Sequence, residues 1–153
     1  MRLLINLSAH LPVGSSRQSA AVAMVGWLQP LLELLQRDER IRLSLYHSGP
    51  LIQWALAEHP TYMVQLAGLV QKQQVHLTGG GFYAPMLAVI SPQDALAQLR
   101  HTQQFWQAQL HHRPRGAWLT QQSWAPHLPE LLRQAGLDFA LVDGRSLRAV
   151  GVS

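Results

Sequence analysis

Short apolar runs alternate with helix-patterned segments along the whole of this 153-residue chain. That alternation restricts the fold more than any other feature. Strands expected at 2–7, 41–46, 75–77, 116–119 and 138–142 are separated by helices at 15–37, 50–58, 61–73, 91–109 and 127–135. A strand–helix–strand rhythm of this kind builds a parallel sheet or barrel. The boundary residues agree with it. Pro30 predicts a bend or break in the first helix. Ser91-Pro92-Gln93-Asp94 supplies a capping serine, a proline in the first turn and an early acid. Gly136 is placed to close the helix that precedes the last strand. The run at 2–7 is apolar at nearly every position, as a strand buried on both faces would be.

In such folds ligands bind beyond the carboxyl ends of the strands, so the segments that follow them carry the functional information. They hold His10 after the first strand, His47 after the second, Gly79–Tyr83 after the third, and Trp118 to Trp124 around the end of the fourth. Right-handed crossovers gather these segments on one face. The segment 115–129 is the richest, with two tryptophans flanking Gln121-Gln122. Tryptophan presents a flat apolar face and one N–H donor, which suits a sugar ring as well as a core. Glutamine hydrogen-bonds a substrate, but its amide is neither nucleophile nor general acid or base. Trp118 and Tyr83 read as sugar contacts or as packing residues, and Trp124, just before a helix start, as at least partly a packing residue. His47 reads as a cleft residue or as one held by a structural hydrogen bond.

Several classes are excluded on composition and spacing. Gly79-Gly80-Gly81 lacks the dinucleotide spacing and no helix follows it directly. With no cysteine, disulfides and thiolate metal sites are ruled out, and the histidines form no His-x-His or His-Glu-x-x-His pattern. No metal or cofactor is expected, and a metal-dependent deacetylase on a similar barrel is a poor fit. The net charge is 12 − 8 = +4, but the arginines are scattered and form no basic stripe of the kind nucleic acid requires. The apolar stretch 20–35 is interrupted by Gln29, Pro30 and Glu33, so no membrane span is expected. The amino-terminal apolar run is too short for a signal peptide. A cytoplasmic protein without a membrane partner is the expectation.

Four motifs, in order, resemble glycoside hydrolase family 57, the retaining α-glucan enzymes that include amylases, 4-α-glucanotransferases and branching enzymes. They are His10-Leu11-Pro12-Val13-Gly14, the segment Ser44–Pro50, Gly79–Pro85, and Gly116–Pro129. The resemblance implies that residues 1–153 are the amino-terminal portion of an incomplete (β/α)7-type barrel, an α/β fold with a parallel sheet of which five to six strands are present. It implies that His10 contacts the sugar at the cleavage site. The family's glycine-rich motif carries a glutamate where this chain has Ala84. Its central motif carries the nucleophilic glutamate where Trp118-Leu119-Thr120-Gln121-Gln122-Ser123-Trp124 has Gln121. The aspartate that serves as acid/base belongs to a later motif, which this sequence does not contain.

A retaining glycosidase uses two carboxyl groups about 5–5.5 Å apart, one to attack the anomeric carbon and one to protonate the leaving oxygen. Gln121 supplies no such anion, and loss of a covalent nucleophile removes orders of magnitude in rate. The expectation is a catalytically impaired family 57-like protein that retains weak binding of α-glucan or maltooligosaccharide through His10, Tyr83, Trp118, Gln121 and Trp124. The other reading is a non-catalytic module that pairs with another barrel segment. A barrel of five strands exposes an edge, so self-association or a complementary barrel fragment is expected as partner.

Overall fold

A computed structural model describes residues 3–149. The chain forms two compact units, Met1–Leu77 and Thr78–Ser153. Both are α/β with parallel strands, as the alternation requires.

The first unit holds β1 (Asn6–Ala9), α1 (Arg17–Ala23), a π-helical turn (Met24–Leu28), α2 (Gln29–Arg37), β2 (Leu43–His47), α3 (Gly49–Glu58), α4 (Pro60–Gln71) and all but the last residue of β3 (Val75–Thr78). The strand order is β1-β2-β3, and β1 runs parallel to β2 with Asn6 opposite Ser44 and Ala9 opposite His47. Position in the sheet decides burial. Central β2 is almost wholly buried, whereas β1 is an edge strand that exposes Ser8. The expectation of a first strand buried on both faces at 2–7 is therefore corrected. Leu3 and Leu4 lie exposed outside the strand, and pairing starts only at Asn6. Residue 2 lies outside the described residues.

The first helix also departs from expectation. It does not break at Pro30; the irregularity lies before it, in the π turn Met24–Leu28, and Pro30 sits in the first turn of α2. A π turn widens the backbone spiral by one residue. The proline thereby meets the helix where its ring and missing N–H are tolerated. Buried Met24, Leu28, Leu32 and Leu35 form the inward stripe of this segment. Gln74 ties off α2: its side-chain amide donates to the carbonyl of Leu35 at 2.7 Å and to that of Asp38 at 3.3 Å.

The second unit holds α5 (Pro92–Leu110), β4 (Gly116–Trp118), a 3₁₀ turn (Thr120–Gln122), α6 (Leu128–Gln134), β5 (Phe139–Leu141) and α7 (Gly144–Ala149). β4 and β5 are parallel, with Trp118 opposite Leu141. Gly79 bridges Ala117 on the other side of β4, donating its N–H to Gly116 at 2.7 Å and accepting from Trp118 at 2.8 Å. α5 starts as its sequence predicts, with the Ser91 hydroxyl oxygen accepting the amide of Asp94. Gly136 closes α6 at φ +78°, the left-handed conformation that suits glycine. The core gathers Leu87, Leu99, Ala117, Leu119, Leu128 and Leu132, with Trp124 packed against it.

Among the described residues no helix is long and apolar enough to cross a membrane, and no group of three or more metal-ligating side chains comes together.

Candidate functional site

In the first unit the carboxyl ends of β1 and β2 lie side by side, and one side chain joins the loops that follow them. Buried Ser48 donates its backbone N–H to Ala9, and its hydroxyl oxygen accepts the amide of Leu11, both at 2.9 Å. Leu11 is buried while its neighbour His10 is exposed, so the anchor presents the histidine to solvent. A turn then reverses the chain: Ser15 donates to the Pro12 carbonyl at 3.1 Å and Gly14 takes φ +83°, which a type II turn demands at its third residue. The motif His10–Gly14 is thus a fixed support for one solvent-facing imidazole.

His47, one residue before that anchor, is not a cleft residue. It is buried, with Nε2 2.6 Å from the hydroxyl of Tyr62. Burial pushes its pKa down to about 3, so it stays neutral at neutral pH. Burial also raises the pKa of Tyr62, which keeps the phenol protonated. The pair is a structural bond.

In the second unit, three parallel segments end together, and the loops after Gly79, β4 and β5 leave from the same end. The first carries Tyr83, half exposed above a buried Phe82. The second begins at half-buried Trp118 and passes through Gln121 to Trp124. Gln121 and Gln122 both adopt left-handed backbone, at φ 57° and 51°. Ordinary side chains enter that region at some cost in strain, and such residues cluster at functional positions. Both glutamine side chains are exposed and make no hydrogen bond to another described residue. Ala84 is left-handed too, at φ 52°.

Trp124 packs on the core cluster and lines a cleft of about 520 Å³ with Leu132, Leu137, Phe139, Ala140 and Val142. Among the described loops at this end Asp143 is the one carboxylate, and Arg145 occupies both its oxygens. The backbone N–H of Arg145 donates at 2.8 Å and its guanidinium at 3.0 and 2.8 Å. These hydrogen bonds hold Asp143 below the usual carboxylate range and make it the cap of α7. The loops therefore offer aromatic faces and amides, without a free carboxylate pair.

Sequence reading missed the anchors. Ser48 is one residue of a loop with glycine and proline, and the polar positions of α5 facing Tyr83 belong to no motif. Neither carries a signal short of the contact itself.

A family model described as "Glycosyl hydrolase family 57" matches residues 26–152. The "Alpha-amylase" of Pyrococcus furiosus is 31% identical over the whole chain, which corresponds to 23% of that protein's length. The solved 4-alpha-glucanotransferase from Thermococcus litoralis shares the fold with a TM-score of 0.92 at 29% identity, over 98% of this chain and 24% of that one. An alpha-amylase from Thermotoga maritima shares the fold alone, with a TM-score of 0.81 at 16% identity over 95% of this chain and 40% of the other. The chain thus spans about a quarter of the length of the curated relatives it matches. The five described strands belong to a fold of the kind found in that 4-alpha-glucanotransferase.

Proposed function

The chain belongs to glycosyl hydrolase family 57, and from that premise we propose that it binds α-1,4-glucan and does not cleave it. The observation that carries the reading is Gln121. A neutral amide stands where the resemblance places the nucleophile, on a backbone held left-handed. An amide cannot form the glycosyl ester or stabilise the oxocarbenium charge. Asp143, the one carboxylate in the described loops at that end of the second unit, is spent on Arg145.

Contacts with glucan are proposed for each unit by itself: His10 on the first, and Tyr83, Trp118, Gln121 and Trp124 on the second. Aromatic faces and neutral amides suit a neutral polyhydroxylated ligand. Binding is weak, since few of these side chains are preorganised by side-chain partners. We place the protein in the cytoplasm, a location with which the lack of cysteine agrees. The test is titration with maltooligosaccharide followed by tryptophan fluorescence, in the parent and in Trp118→Phe. A saturable change that weakens in the variant supports the reading. No change up to millimolar ligand overturns it.

The cleft favours a second reading, a module that pairs with another barrel segment or with its own copy. Apolar Phe139, Leu137, Ala140 and Val142 line it beside charged Arg133 and Asp138, and Phe139 is 57% exposed. β5 has β4 as its described partner, so its far edge is open to pairing. Light scattering that shows a cooperatively unfolding monomer at every concentration would dismiss this reading.

A further inference from the structure

We propose that Gln98, His101 and Thr102 of α5 are positioning residues that hold Tyr83 for α-glucan, an inference that rests on the glucan-binding reading above. The three stand at i, i+3 and i+4, one face of the helix, and each grips a successive part of the glycine-rich loop. The Thr102 hydroxyl donates to the Gly80 carbonyl at 2.8 Å. The His101 ring lies flat on Phe82, centroids 3.8 Å apart and planes 3° from parallel. The Gln98 side-chain oxygen accepts the backbone N–H of Tyr83 at 2.9 Å.

No strand or helix is described within this loop. Between Gly79 and α5 it contains only turns, one of them closed by the Ala84 amide on the Gly81 carbonyl at 2.9 Å. The Tyr83 ring meets Phe82 edge-on at 5.1 Å and the His101 ring at 6.3 Å, yet it remains 43% exposed. The clamp thus fixes the backbone and one edge of the ring and leaves the remainder to a ligand. Fixing a contact residue before the ligand arrives reduces the entropy lost on binding.

Two substitutions separate the clamp from general stability. Gln98→Met keeps the length of the side chain and its helix propensity but removes the acceptor. Gln98→Glu restores an acceptor. Two quantities are read in parent and variants: hydrogen exchange at the Tyr83 amide and the Kd for maltoheptaose. In Gln98→Met the Tyr83 amide exchanges faster and maltoheptaose binds about fivefold more weakly, the worth of one neutral hydrogen bond. In Gln98→Glu both return to the parent values. Unchanged exchange in Gln98→Met overturns the clamp, and faster exchange with unchanged affinity overturns its link to the ligand. If the parent itself binds no maltoheptaose, the glucan reading fails separately, and the exchange data alone decide whether Gln98 holds Tyr83.

Discussion

His47 Nε2 and the Tyr62 hydroxyl lie 2.6 Å apart with both side chains sealed from solvent, and this pair makes the stability of the first unit depend on pH. The folded state holds His47 neutral, with its pKa pushed from 6.5 to about 3 by burial. The unfolded chain therefore binds more protons between those values. The stabilising contribution is complete above about pH 6.5 and is lost as pH falls toward 3, by at most about 1.4 kcal/mol per pH unit. Urea unfolding at pH 7.5, 6 and 5 checks this. The midpoint should fall across the series, and His47→Gln should flatten the fall. An equal fall in the variant would mean that His47 is not its source.

Gln122 is left-handed at φ 51°, a conformation that glycine adopts freely. Gln122→Gly should stabilise the chain by about 0.5–1 kcal/mol, and Gln122→Val should destabilise it, since branching at Cβ worsens the clash. Denaturant melts of the two variants read this directly. Opposite signs are expected; destabilisation by glycine would show that the side chain makes a contact worth more than the strain.

A Cβ added at Gly81 would lie 2.5 Å from Cδ of Pro85, whose ring cannot swing aside. Gly81→Ala should therefore shift the loop that carries Tyr83 and cost about 1–3 kcal/mol. Added at Gly116, a Cβ would instead meet the edge of the Phe139 ring, the far end of a side chain that is more than half exposed. Gly116→Ala should cost less than Gly81→Ala in the same thermal melt. The reverse order would mean that the edge strand is more tightly fixed than the loop.

The alternation of apolar and helical segments was enough to read the α/β class and the order of elements, because both periods are written in consecutive residues. Where a helix begins was legible too, as Ser91-Pro92 and Gly136 show. Burial of β1 was not, because Leu3, Leu4 and Ile5 carry no mark of which strand lies at the edge of a sheet. The π turn at Met24–Leu28 was hidden as well, since the strain of Pro30 is relieved one turn upstream of the proline that signals it. In the candidate site the motif residues were visible at their positions. The residues that hold them, Ser48, Gln98 and Thr102, were not, since their partners lie 15 to 37 residues away.

The direct test of a glucan-binding chain without a nucleophile is a saturation-transfer NMR spectrum of maltoheptaose incubated with this chain, which reads binding and ligand integrity together. The account predicts saturation transfer to the glucosyl protons with the anomeric signals of intact heptaose unchanged after prolonged incubation. New reducing-end anomeric signals, or no transfer at all, would contradict it.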